Sequence, residues 1–124
     1  MSKLNHNSGF WITKEQELLL KASLFEGDKF IYAWEEWKSC VNFEQIDPGS
    51  YRLLPLLYQN LLKNKIKDPL TERLKGIYRR TWFENQIISR QAIKLLELFY
   101  SEGIKTIILK GFALMHFYYK DYGL

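Results

Sequence analysis

The sequence predicts a mainly α fold: an N-terminal helical bundle with a long spine helix, followed by the first strand and helix of an incomplete α/β unit. Three observations predict it. Apolar residues recur at three- and four-residue steps along most of the chain from Lys14 to Ser101. Two Asp-Pro pairs, Asp47-Pro48 and Asp68-Pro69, carry the cap and first-turn proline that open helices. After Gly103 the period changes to a short β-rich run, Lys105-Thr106-Ile107-Ile108-Leu109.

Residues 1–12 read as a flexible lead-in, because Asn5, Asn7, Ser8 and Gly9 favour irregular backbone. Phe10, Trp11 and Ile12 are expected to pin its end to the core. Thr13 followed by Gln16 is a capping-box pattern. It predicts a helix from Lys14 to about Phe25, with Leu18, Leu19 and Ala22 inward and Lys14, Glu17 and Lys21 outward. Gly27 should end it. Asp28 then caps a second helix, about Lys29 to Cys40, in which Phe30, Ala33, Trp34 and Trp37 share a face. The tryptophan pair reads as a hydrophobic anchor rather than a ligand-stacking platform.

The third helix is expected from Pro48 to about Asn64, with Leu53, Leu54, Leu57, Leu61 and Leu62 as its apolar face. Pro55 lies inside that run and should kink or split it. The fourth helix runs from Pro69 to about Ser101. Leu70, Leu74, Ile77, Thr81, Asn85, Ile88, Ala92, Leu95 and Phe99 make one continuous face. Thr81 and Asn85 weaken a coiled-coil seam, so the helix reads as the spine of a small bundle. Asn85, Gln86 and Arg90 are placed either to reach an adjacent cleft or to stay at the surface. Domain organisation follows as residues 1–102, helical, and residues 103–124, the start of the α/β unit.

Composition narrows the function classes. Hydrophobic residues make up 47% of the chain and aromatics 16%, enough for a packed core. The net charge of +4 is modest, and the basic residues are spread out. The densest basic stretch, Arg73 to Arg80, lies on a helix whose aromatics, Tyr78 and Trp82, are expected on the core side. A solvated surface accounts for it, and a nucleic-acid partner is not indicated. The single cysteine, Cys40, excludes an internal disulfide, and His6 and His116 have no partner at metal-ligand spacing. No basic segment followed by an apolar run opens the chain, and no apolar run spans a bilayer. No membrane partner is expected, and the cytoplasm is the default location.

The β-rich run cannot stand alone, because its backbone N–H and C=O groups need neighbouring strands. Self-association or a partner chain would complete the sheet, or the chain is the N-terminal part of a longer protein. The sequence favours the last. Phe112, Ala113, Leu114, Met115, Phe117 and Tyr118 then resume a helical pattern.

The stretch Ile107-Ile108-Leu109-Lys110-Gly111-Phe112-Ala113-Leu114, continued by Tyr118-Tyr119-Lys120-Asp121-Tyr122-Gly123, resembles the opening of a bacterial family of uncharacterised nucleotidyltransferases. That family is of the LKG type, within the DNA-polymerase-beta-like nucleotidyltransferase superfamily. Trp82, Asn85 and Gln86 also resemble its long helix. The resemblance covers roughly residues 70–124. It implies that Lys110 and Gly111 form a turn that helps hold nucleotide phosphates. Physical chemistry agrees: glycine admits close backbone approach, a helix N-terminus favours anions, and Lys110 adds a positive charge. The plain alternative is a strand-to-helix turn with a solvated lysine. The resemblance further implies an Asp-x-Asp motif holding Mg²⁺ against an NTP in the intact parent. No such motif occurs in this sequence, and Asp121 has no partner acid, so no catalytic residue and no metal ligand are assigned. Two main readings remain. One is a part of an enzyme that transfers a nucleoside monophosphate from NTP to an acceptor, inactive as this chain alone. The other is a non-enzymatic helical protein-interaction module.

Overall fold

A computed structural model describes residues 11–124. The expected lead-in through Phe10, with His6, lies outside the described residues. The chain divides into two compact units, with the boundary between Leu53 and Leu54. The helices are α1 (Lys14–Leu24), α2 (Gly27–Cys40), α3 (Pro48–Lys63), α4 (Pro69–Ser101) and the short α5 (Lys110–Ala113). A π-helical stretch, Leu114–Tyr119, continues directly from α5.

In the first unit, α1 and α2 pack as an antiparallel-type helical hairpin. The capping box forms as the sequence predicts. The Gln16 amide donates to Thr13 Oγ1 at 3.1 Å, and the Thr13 amide donates to Gln16 Oε1 at 2.9 Å. Leu18, Leu19 and Ala22 of α1 are buried, as are Phe30, Ala33, Trp34 and Trp37 of α2. The Trp34 and Trp37 rings lie 6.0 Å apart, and Phe43 meets Trp37 edge-on at 5.8 Å. The pair is thus core. Two local expectations give way. Gly27, at φ +62, is the first residue of α2 rather than a stop before it, and Asp28 lies in the first turn instead of capping it. Trp11 and Ile12 are largely exposed rather than buried in the core.

Asp47 caps α3 more thoroughly than its place before a proline requires. Its carboxylate accepts from the Ser50 amide (3.0 Å), the Ser50 hydroxyl (2.5 Å) and Gln16 Nε2 (3.2 Å). The Ser50 hydroxyl, then the Ser50 amide and Gln16, hold its pKa down at about 2. The helix runs unbroken through Pro55. An interior proline costs about 3 kcal/mol. Leu54, Leu57 and Leu61 are fully buried, and each such leucine contributes about 1.5–3 kcal/mol, which offsets the proline.

In the second unit, Asp68 caps α4, accepting from the Leu70 amide at 2.9 Å with Pro69 in the first turn. The helix spans Pro69–Ser101 without a break, about 50 Å at 1.5 Å per residue. Of the face read from the sequence, Leu74 is buried, while Ile88 and Leu95 are about half exposed. Tyr78 turns inward as expected, but Trp82 is 43% exposed. Both α3 and α4 end in the same way. The amides of Lys65 and Ile66 donate to the carbonyls of Leu62 and Leu61, and those of Gly103 and Ile104 donate to Tyr100 and Phe99. These are Schellman closures, which need a left-handed residue after the cap. Gly103 supplies it at φ +72, whereas Lys65 supplies it at φ +55.

The expected strand does not form. The described residues are all helix, turn or irregular, with no strand anywhere, so no first strand of an α/β unit is present. Residues 104–109 lie without regular structure, and Ile107 and Leu109 are exposed. The β propensity of the run is real but depends on context. With no neighbouring segment to take its hydrogen bonds, propensity alone makes no strand.

Three outcomes follow from these caps. Thr13→Ala should lower stability by about 1 kcal/mol, read as a shift in the urea midpoint. Lys65→Gly should raise it by about 0.5–1 kcal/mol, because glycine takes the left-handed conformation without a Cβ clash. The Asp47 carboxyl titrates below its ordinary 3.8. Its cap is therefore at full strength above pH about 4 and is lost as pH falls through about 2. Thermal melts across that range should lose stability faster in the parent than in Asp47→Asn.

Candidate functional site

The second unit is organised around a carboxylate. Asp121 Oδ1 accepts from the Tyr78 hydroxyl at 2.7 Å and from the Gly123 amide at 2.8 Å. Asp121 Oδ2 accepts from Gln59 Nε2 at 3.0 Å. One side chain thus ties the last residues to α3 and α4. Beside it, Asn85 Nδ2 donates to the Tyr122 carbonyl at 2.8 Å. Tyr58 and Tyr78 pack with ring centroids 5.2 Å apart. The Tyr78 hydroxyl is pushed up to about 12, first by burial and then by the hydrogen bond and charge of Asp121.

A second layer of contacts centres on His116, in the π-helical stretch. Its Nε2 lies 3.3 Å from Ser89 Oγ, and the tautomer decides which of them donates. The ring also meets Phe112 at 4.3 Å and Tyr122 edge-on at 5.3 Å, and Tyr122 meets Trp82 at 6.4 Å. Ser89 is only 2% exposed, and no carboxylate among the described residues bonds His116. A Ser–His nucleophile needs access and an oriented ring. This pair is a packing contact.

The residues read from the sequence are distributed as follows. Asn85 does reach inward, and its target is backbone. Gln86 is half-buried, and Arg90 is exposed. Lys110 and Gly111 open α5, both exposed. It is Lys110, not Gly111, that takes the left-handed conformation, at φ +58. A Cβ placed on Gly111 would meet nothing within 4 Å. Lys110 and Gly111 do not join the Asp121 network. Tyr118 and Tyr119 meet edge-on at 5.0 Å and stay exposed. Among the described residues no three His, Cys, Asp or Glu side chains come together as a metal-holding group. The set around Asp121 is one anion held by hydrogen-bond donors, which does not fit a divalent cation.

Sequence reasoning missed the Asp121–Tyr78–Gln59 cluster, because its members lie 43 and 62 residues apart. The available signal was the Asp121-Tyr122-Gly123 part of the resemblance. Gly123 is buried, and a Cβ there would lie 1.9 Å from the Tyr78 ring.

The second unit is thus helical, with a half-buried clasp of Asp121, Tyr78 and Gly123 at its last residues. Residues 50–124, more than half of the chain, match the family described as uncharacterised nucleotidyltransferase. The chain belongs to that family. No curated protein and no solved structure matches it. No helix among the described residues is long and apolar enough to cross a membrane.

Two variants probe the clasp. Gly123→Ala should cost about 1–3 kcal/mol through overpacking against Tyr78, and should shift the amide resonances of Tyr78 and Asp121. Tyr78→Phe should cost about 1 kcal/mol for the lost hydrogen bond. The folded Tyr78 pKa lies above its ordinary 10. Its contribution is therefore complete below pH about 10 and is lost as pH rises through about 12. An alkaline melt series should show that loss in the parent and not in Tyr78→Phe.

Proposed function

We propose that this chain acts as a non-enzymatic helical protein-interaction module within the nucleotidyltransferase family, and that it self-associates through the second unit. The observation that carries this reading is the distribution of apolar side chains on the C-terminal half of α4. Trp82, Phe83, Ile87 and Ile88 are all 43% exposed or more, and consecutive pairs point about 100° apart. A helix that is apolar on several sides is normally a buried helix. Further along, Tyr100, Ile107, Phe117 and Tyr118 expose 68–87% of their surface. Phe83, Tyr100, Phe117 and Tyr118 alone expose roughly 500 Å². Phe83 and Tyr100 lie about 25 Å apart along α4, so this exposure runs along the helix.

Charge favours a second copy as the covering partner. On the Trp82–Ser101 stretch, Glu84 and Glu97 balance Arg90 and Lys94. Two copies therefore approach this surface without net repulsion, and hydrophobic burial sets the affinity.

Family membership supports a second reading, transfer of a nucleoside monophosphate from NTP to an acceptor in a larger parent protein. There Lys110 and Gly111 would meet the phosphates, and residues 103–124 would open the catalytic part. That reading needs metal-holding carboxylates, which the described residues do not assemble.

Sedimentation velocity over a rising concentration series separates the two. The first reading expects a concentration-dependent mass above one chain, lost in a Phe83→Asp, Ile87→Asp double variant that keeps its helical circular dichroism. A single-chain mass at every concentration, together with calorimetric binding of magnesium-ATP or magnesium-CTP, would sink it in favour of the second.

A further inference from the structure

All of the chain's net charge lies in one stretch of the second unit. Residues 63–84 hold seven of the eighteen Lys and Arg side chains and three of the fourteen Asp and Glu, a net +4. The remaining residues carry eleven of each sign and cancel. Lys63, Lys65, Lys67, Arg73, Arg79 and Arg80 are exposed, and Lys75 is half-buried. Internal pairing leaves the excess standing. Lys75 pairs with Glu72 at 3.4 Å and Arg80 with Glu84 at 2.8 Å, while Lys65, Lys67 and Arg79 form no ion pair among the described residues.

The helix gives this charge a face. At about 100° per residue, Arg73, Gly76, Arg79, Arg80 and Phe83 fall within one sector of α4 about 120° wide. The buried Leu74 lies outside that sector. Phe83 is 61% exposed, and Trp82 beside it is 43% exposed. The basic stretch reads as mere solvated surface only if its aromatics point to the core, and Trp82 does not. Gly76 is the third feature. A Cβ there would meet nothing within 4 Å, so no packing inside the chain calls for a glycine in a helix interior, where it weakens the helix. It leaves bare backbone between Arg73 and Arg80, about 10.5 Å apart along the axis.

We propose that this face of α4 binds single-stranded nucleic acid. The sugar–phosphate chain lies over Gly76, flanked by Arg73, Arg79 and Arg80, whose planar guanidinium groups suit phosphate oxygens. An unpaired base stacks on Phe83. The bases of a duplex are already stacked on one another, so the exposed ring selects a single strand. Cations strung along a helix match a chain of phosphates rather than one compact anion. A second copy of this chain brings the same positive charge to the face and is repelled from it. Self-association is thereby confined to the apolar surface further along α4, with Phe83 at the border. The nucleic-acid site does not rest on that association.

The test uses the whole chain and fluorescein-labelled oligo(dT) and oligo(U) of about 12 nucleotides, within the usual site size of single-strand binders. Anisotropy titrations over a salt series should show binding that weakens as salt rises. The double variant Arg79→Ala, Arg80→Ala should lower affinity at least tenfold and flatten the log–log salt slope by about 1.4. Phe83→Leu keeps an apolar side chain without the ring, and should lower affinity about fivefold with the slope unchanged. Gly76→Leu should raise the melting midpoint and still weaken binding, an opposition that a purely structural glycine would not produce. Lys29→Ala, in the first unit, should leave affinity unchanged, and circular dichroism verifies that each variant folds. The two oligonucleotides distinguish DNA from RNA. Absence of binding to both would overturn the proposal, as would unchanged affinity in the double arginine variant. So would equal competition by polyglutamate, or binding to phosphatidylglycerol vesicles in place of either strand.

Discussion

Three donors converge on the carboxylate of Asp121: a tyrosine hydroxyl, a glutamine amide and a backbone N–H. The second unit depends on that convergence. A carboxylate half-buried near Tyr58 and Tyr78 is tolerable only because its lone pairs are taken. Its donors come from α3, from α4 and from two residues along the chain, so satisfying it also fixes where the terminal segment lies. The close approach of Gly123 to the Tyr78 ring follows from the same geometry, since any Cβ there would push the segment off its donor. Asn85 and His116 then hold the neighbouring backbone and ring against α4. These contacts are hydrogen bonds and ring packing within the unit. They are the means by which an irregular terminus is made definite.

The two units solve the burial problem differently. The first closes around Phe30, Trp34 and Trp37, all essentially inaccessible, and leaves a cation-rimmed groove at its surface. The second has its tight packing where the Asp121 clasp sits and leaves apolar side chains uncovered further along α4. Family membership and an uncovered apolar helix are compatible, because a family is defined by shared sequence and not by activity in each chain. Among the described residues no three His, Cys, Asp or Glu side chains assemble as a metal-holding group.

Much of the helical architecture was legible because its signals are local. The Thr13–Gln16 box and the Asp68-Pro69 start each lie within four residues, and both appear as read. The full length of α4 followed from periodicity ended by Gly103. The readings that failed all needed information from elsewhere in space. Pro55 was expected to kink or split α3; it does not split it, and burial of its leucine neighbours offsets the proline. The run from Lys105 to Leu109 has the composition of a strand and no neighbour to pair with. Trp11 has the composition of an anchor, yet its side chain is 82% exposed. For the candidate site, the sequence left Asn85 open between an inward and a surface role, whereas the Tyr78–Asp121 bond joins segments too far apart for any periodic pattern to register. The left-handed backbone at Lys110 had no sequence signal, because lysine seldom adopts it.

The closure of α4 draws a sharp line in the backbone. The amides of Gly103 and Ile104 are bound to carbonyls of the last helical turn, while those of Lys105 to Leu109 have no backbone acceptor among the described residues. In deuterated solvent, adjacent peptide groups on the two sides of that line belong to different kinetic regimes. Those before it exchange only when the end of α4 frays, and those after it exchange at rates close to an unfolded chain. The apolar side chains of Ile107 and Leu109 thus sit on backbone that no hydrogen bond to α4 holds. Any surface that captures them meets a segment able to change its shape on contact, attached to a rod that keeps its own.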